Sequence, residues 1–271
     1  MRGGSQSHLM RCSDDHYYVV KFQNNPQHRR VLVNEFLATR LATLLGLPTT
    51  TGAVIDVSKE LIRLTDDLRI EMPRQRILCQ AGLQFGSRYP GDPRRQVLFD
   101  FMSDERLGQV INLHDFAGML VFDKWTCNTD GRQALFFRRG EGQSYATVMI
   151  DQGFCFNCGE WNFPDSPLRG IYDRRAVYAE IRILKDFDPW LSRLESEFNL
   201  ELLFEAGNGV PPEWYEFDTA SFHDLLKRLD RRRKLVRQLL QNACKLMPLV
   251  FPKWSDEEDE QRLFTHAAAY S

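Results

Sequence analysis

The chain has no apolar run long enough to span a bilayer, no excess of either charge, no disulfide framework and no internal repeat. The first absence excludes a transmembrane helix, and the polar N-terminal residues do not read as a signal peptide. Thirty-five basic residues stand against 37 acidic ones, so nothing favours direct binding to nucleic acid or to an acidic membrane surface. Six cysteines over 271 residues, without the spacing of a disulfide framework, fit a reducing compartment, and a cytoplasmic location is expected. Cys155 and Cys158 have the spacing of a redox or metal pair, with Cys127 upstream. A closed zinc site needs four ligands and there is no second pair, so these read as buried thiols near an active loop. The six histidines are scattered and suggest no triad. What remains is an ordinary hydrophobic content of 43%, enough for a substantial core.

Against this plain background stand two aspartates flanking a predicted hairpin. Asp130 lies in Asn128-Thr129-Asp130-Gly131-Arg132-Gln133. Ala134–Phe137 reads as a strand, 138–143 as its turn and Tyr145–Ile150 as the return strand, which delivers Asp151-Gln152-Gly153. Thr-Asp-Gly alone also describes a turn in which Asp bonds its own backbone. In-line phosphoryl transfer, however, needs one carboxylate near the attacking hydroxyl and another on the ion bridging the phosphates. A short hairpin can hold both over one cleft.

Three upstream features point the same way. Tyr17-Tyr18-Val19-Val20-Lys21-Phe22 sets one lysine in a β-rich run, where it reads as either a phosphate contact or an edge-strand lysine reaching water. Asn34-Glu35 opens a run with Leu37, Leu41, Leu44 and Leu45 at helical spacing, stopped by Gly46 and Pro48. Glu35 is expected in the first turn of that helix, as a partner that positions Lys21. Gly3-Gly4-Ser5-Gln6-Ser7 precedes the first strand, and paired glycines let backbone N–H groups approach phosphate.

Taken together, Gly-Gly-Ser-Gln, Tyr-Val-Val-Lys-Phe, Asn-Glu-Phe-Leu-Ala, Gly46-Leu47-Pro48, Phe122-Asp123-Lys124-Trp125 with Asn128-Thr129-Asp130, and Ile150-Asp151-Gln152-Gly153-Phe154 resemble the HipA-like kinase domain. That group is allied to the HipA toxin kinases and, distantly, to phosphatidylinositol 3- and 4-kinases. The resemblance runs from about Met1 to Trp161. It implies an α+β, two-lobed, protein-kinase-like fold and an ATP- and Mg²⁺-dependent phosphotransferase acting on a protein or small-molecule hydroxyl. It implies that Gly3, Gly4, Ser5, Gln6 and Ser7 cover the phosphates, that Lys21 held by Glu35 contacts them, that Asp130 is the base and that Asp151 holds Mg²⁺. The family places a metal-holding asparagine five residues after the base, where this chain has Leu135, so Gln133 or Asn128 is expected to supply the oxygen. Leu135 also leaves open a nucleotide-binding pseudokinase or adaptor. The phosphate loop stands almost at the first residue, so either a strand lies upstream or the small lobe lacks an edge strand. A regulatory protein partner fits this group as well.

The expected organisation is a β-rich lobe over 1–81, a helical lobe over 82–252 and an acidic tail over 253–271. Strands are expected at 49–57 and 76–79. The Gly/Pro-rich stretch from Gly82 to Pro93 reads as a loop joining the lobes, with Ser87 and Arg88 as candidate substrate contacts. His114–Thr126 reads as a helix leading into the Asp130 loop. From Tyr172 onward the text is helical, with its best-patterned helix from Ser221 to Lys245 and Leu235 on the apolar side. Arg231-Arg232-Arg233-Lys234 reads as the solvated face of that helix, and Asp256–Glu260 as a solvated tail.

Overall fold

The computed structural model describes residues 4–138, 144–172 and 174–255. After residues 4–7 come β1 (His8–Arg11) and β2 (Tyr17–Lys21), then α1 (Val31–Leu44), β3 (Gly52–Val57) and α2 (Lys59–Leu64). A separate hairpin follows, β4 (Arg69–Met72) with β5 (Gln75–Leu78), and then β6 (Gly82–Arg88). The antiparallel sheet order is β1-β2-β6-β3. Lys21 is therefore on an interior strand, with Phe85 opposite it on β6, and the edge-strand reading of this lysine falls.

The glycine-rich stretch read as a connector is instead the strand that joins β2 to β3. Its register pairs Gly86 with Val20 on one side and Ala53 on the other. A Cβ at Gly86 would lie 2.6 Å from Ile55 Cγ1 and 3.2 Å from Tyr18 Cδ1, so this glycine serves close packing inside a sheet rather than a turn. The small sheet thus runs through Arg88, beyond the boundary expected at 81/82. One face covers a minor core of Tyr18, Val20, Phe22, Val57, Ile62, Leu68, Ile70 and Cys79 beneath α2 and the β4–β5 hairpin.

Helix α1 starts upstream of the polar pair expected to open it, because Val31, Leu32 and Val33 are fully buried in the main core. Glu35 therefore falls in the second turn, not the first. The helix closes where Gly46 takes φ +84° and Leu47 N–H returns to the Ala42 carbonyl at 2.9 Å.

Next come β7 (Leu98–Phe99), α3 (Asp104–Leu107), α4 (Asp115–Thr126), β8 (Gln133–Arg138) and β9 (Tyr145–Ile150). The hairpin β8–β9 pairs Gln133 with Ile150 and Leu135 with Val148, and β7 joins its other edge. Most of its expected turn, 139–143, lies outside the described residues. Helix α4 is buried on every side from Phe116 to Thr126, the mark of a central helix. Three-residue and four-residue 3₁₀ turns then lead to α5 (Trp190–Ser196), α6 (Leu200–Gly207), α7 (Thr219–Arg233) and α8 (Val236–Leu246).

The single helix expected from Ser221 to Lys245 is two, broken at Lys234-Leu235, and Leu235 is 53% exposed. The break lets each part meet a different neighbour, with α7 against α6 and α8 against α4. Arg232 also leaves the solvated face assigned to it. It is buried, pairs with Asp165, and donates to the Lys124 and Trp125 carbonyls. No helix among the described residues is long and apolar enough to cross a membrane. Lys253 pairs with Glu180 and Ser255 N–H reaches the Arg182 carbonyl. The acidic run Asp256–Glu260 lies outside the described residues.

Candidate active site

Strand alternation decides which side chains of β2 enter the cleft. Tyr18, Val20 and Phe22 go to the minor core, so Val19 and Lys21 face the other way. The Lys21 ammonium donates to Glu35 Oε1 of α1 and, at 2.9 Å, to Asp151 Oδ1 at the end of β9. The remaining oxygen of Glu35 accepts the Gln152 backbone N–H at 3.0 Å. Burial alone would strip the lysine of its proton, but Glu35 and then Asp151 outweigh it and raise its pKa. Burial pushes Asp151 up while Lys21 pulls harder, leaving it below the ordinary carboxylate range. Burial holds Glu35 above its ordinary value.

Asp151 itself has a left-handed backbone, φ +58°. The loop beyond it is pinned to α1 by Asn34, whose Nδ2 donates to the Gly153 and Cys158 carbonyls at 2.8 and 2.7 Å. Its Oδ1 accepts Trp161 Nε1 at 2.9 Å. Gly153 fits because a Cβ there would stand 2.8 Å from Val31 Cγ1 and 3.3 Å from Glu35 Oε1.

The loop carrying Asp130 hangs from α4. Cys127 ends that helix in the left-handed region. Asp123 then grips the loop: its carboxylate pairs with Arg132, with Nε donating at 2.8 Å, and accepts Asn128 Nδ2 at 3.1 Å. Arg132 Nη1 donates to the Ile150 carbonyl at 2.9 Å, tying the loop to the residue before Asp151. Asn128 is buried, and its Oδ1 accepts the Asp130 N–H at 3.1 Å. It braces the loop and does not line the cleft, which corrects its reading as a metal ligand.

Asp130 is exposed, accepts the Gly131 N–H at 2.8 Å, and meets Gln133 Nε2 at 3.5 Å. Gln133 lines the cleft beside Asp151, since its β9 partner is Ile150. A carboxylate and an amide oxygen on adjacent strands form a donor set suited to a hard cation.

The cleft measures about 520 Å³. Part of its lining is polar or small, with Gly4, Ser5, Ser7, Gln27 and Lys21. Gly3 lies outside the described residues. Gln6 does not line the cleft, because both ends of its amide engage the Glu71 backbone. The apolar lining of the cleft is Val19, Phe85, Leu98, Leu135 and Ile150, and Ser87, Arg88, Tyr89 and Asp100 also line it. Ser87 Oγ lies 2.7 Å from Thr50 Oγ1. Leu135 thus presents to the cleft, while Ala134 and Phe136 on the same strand enter the core. Among the described residues no group of three His, Cys, Asp or Glu is placed to share a metal, and the described cysteines are free thiols.

A model of the HipA-like kinase family matches residues 1–160, more than half of the chain. The chain belongs to the HipA-like kinase family. No curated protein matches its sequence. Solved structures share the fold across great sequence distance. The Helicobacter pylori proinflammatory kinase CtkA aligns with a TM-score of 0.59 at 14% identity, covering 90% of this chain and 93% of its own. Hydra Fam20 with sugar aligns with a TM-score of 0.55 at 13% identity, covering 95% and 87%. The Golgi casein kinase with Mn/ADP bound aligns at 0.53 and 15%, covering 90% and 71%. These likenesses make the architecture protein-kinase-like: a small antiparallel sheet lobe and a helical C-terminal region.

In this HipA-like chain, sequence reasoning brought Lys21, Glu35 and Asp151 to one place. It passed over Asp123, Arg132, Asn34 and Gln27. Asp123 did carry a signal, a carboxylate directly after the apolar run Phe116–Phe122 of a helix, since a buried charge requires a partner. Asn34 and Gln27 carried none, because what an amide touches depends on the tertiary fold.

Proposed function

We propose that this HipA-like protein transfers the terminal phosphoryl group of ATP to a hydroxyl on a protein or small molecule. The observation that carries this reading is the buried Lys21–Glu35–Asp151 trio in a cleft lined also by Gly4, Ser5 and Ser7 and by apolar side chains. The slot of Val19, Phe85, Leu135 and Ile150 suits a flat base. Gly4, Ser5 and Ser7 suit the phosphates, and Lys21, kept protonated, orients them. Asp151 and Gln133 would hold Mg²⁺, which when bound neutralises phosphate charge. Asp130 accepts a hydrogen bond from the acceptor hydroxyl and aligns it for in-line attack, with the Asp123–Arg132 pair keeping its loop in place. Most of the catalysis then comes from positioning and charge neutralisation.

One observation favours a second reading. Leu135 is apolar and faces the cleft where the family supplies a metal ligand, which suits a protein that binds nucleotide without transferring phosphate.

The test is thermal unfolding with ATP and Mg²⁺, followed by labelled-ATP transfer in cell extract. ATP with Mg²⁺ is expected to raise the melting temperature, by mass action on the folded state. Lys21→Ala and Asp151→Asn should weaken the rise. An undiminished rise in both variants would move the nucleotide elsewhere. Binding without transfer to any acceptor would select the second reading.

A further inference from the structure

Two glutamines stand near the phosphate loop, and their amides have different fates. Gln6 belongs to the loop, yet its Nε2 donates to the Glu71 carbonyl at 2.8 Å and its Oε1 accepts the Glu71 N–H at 2.7 Å. Its amide is committed to the β4–β5 hairpin and holds the loop there. Gln27 lies between β2 and α1. Its side-chain amide lines the cleft and has no hydrogen-bond partner among the described residues. Its nitrogen stands 2.6 Å from where a Cβ on Gly4 would be, so the amide lies directly against the loop glycine.

The segment carrying Gln27 is built with care for a surface loop. Asn25, buried, accepts the backbone N–H groups of Gln27 and His28 at 3.0 and 3.2 Å. Its Nδ2 donates to the Phe22 and His28 carbonyls at 2.9 and 3.1 Å. The backbone is thus fixed while the half-buried amide at its tip makes no side-chain hydrogen bond to the described residues, which leaves it open to a ligand. The ligand's chemistry follows from the surroundings. Lys21 is already matched by two carboxylates, so a polyanion beside it needs further donors, and neutral ones add no competing salt bridge. Gly4, Ser5 and Ser7 provide some, and Gln27 faces them from the α1 side.

We infer that Gln27 is a nucleotide-binding residue whose amide N–H groups donate to the outer phosphates of a nucleoside triphosphate, closing the phosphate end of the cleft. The inference rests on the ATP reading above. It also gives Gly4 a second purpose: any side chain there would displace the Gln27 amide.

The experiment measures ATP and AMP affinity, with Mg²⁺, for the native chain, Gln27→Ala and Gln27→Glu, together with the melting temperature of each without nucleotide. Gln27→Ala should bind ATP roughly tenfold more weakly, the effect of losing a hydrogen bond to a charged group. Gln27→Glu keeps the shape but turns a carboxylate toward phosphate, so it should bind ATP more weakly than Gln27→Ala. AMP affinity and nucleotide-free melting should match the native chain in both. Native-like ATP affinity in either variant, or equal loss for AMP and ATP, would overturn the inference while leaving the ATP reading intact. If the native chain binds no ATP, the reading fails and the inference with it.

Discussion

At the scale of single residues, the two aspartates should separate cleanly. Asp130 is exposed on a braced loop and touches neither Lys21 nor Asp151 by hydrogen bond. Asp130→Asn should therefore abolish phosphate transfer while the ATP-induced rise in melting temperature persists. Equal loss of both would make Asp130 a metal ligand or a structural turn residue instead. Leu135 calls for a different expectation from its sequence position. It lies on the apolar slot rather than in the core, so Leu135→Asn should weaken ATP binding about fivefold, equivalent to about 1 kcal/mol of lost contact. The Mg²⁺ requirement should stay unchanged, because Gln133 already offers an oxygen beside Asp151. More transfer at lower Mg²⁺ would show instead that position 135 is a gap in the metal site. The legible residues were those whose chemistry is unusual for their neighbourhood: one lysine in a β-rich run, aspartates at both ends of a hairpin. Asn128 misled because its polarity is equally suited to a metal and to a turn, and only Asp123, five positions back, settles which.

At the scale of elements, hairpin β8–β9 and helix α4 could be read almost to the residue, since alternation and helical spacing act locally. Strand β6 could not. Its glycines looked like punctuation, and only the neighbouring Ile55 and Tyr18 give Gly86 a reason to be there. The break between α7 and α8 was hidden for the same reason, as Arg232 turns inward to partners far along the chain. The contact between α1 and the Asp151 loop has a direct test. Gly153→Ala would drive a methyl against Val31 and Glu35, and should cost about 1–3 kcal/mol of stability and most of the ATP-induced melting shift. Gly131→Ala is the control, since its nearest neighbour is a backbone oxygen 3.9 Å away. Similar melting temperatures for the two variants would mean that the loop yields without disturbing α1.

For the whole molecule, buried thiols contribute to the loss of stability in alkali. Burial pushes Cys79 up to about 11 and Cys244 to about 12 from an ordinary 9.0, and raises Cys155 as well. The unfolded chain releases these protons from about pH 9, whereas the folded chain keeps them. Between those values the folded state binds more protons at these thiols, so their contribution to stability is fully present below pH 9 and declines as pH rises toward the folded values. Cys79 lies in the minor core. Cys79→Ala should lower stability at pH 7.5 yet flatten its fall between pH 9 and 11, measured by denaturant midpoints. An unaltered slope would remove Cys79 from the alkaline limb.

Helix α1 also limits what kind of control this cleft can obey. Asn34 and Glu35 are consecutive, about 100° apart around the helix axis, and between them they hold the lysine, the Gln152 amide, the Gly153 and Cys158 carbonyls and Trp161. A rotation of α1 that frees Lys21 must also unhook the segment after Asp151. Half-measures, with Lys21 held and the segment after Asp151 loose, leave buried polar groups stranded on one side or the other. The cleft is therefore geared as a toggle rather than a dial: whatever moves α1 switches both together, and graded tuning has to come from elements that leave this helix still.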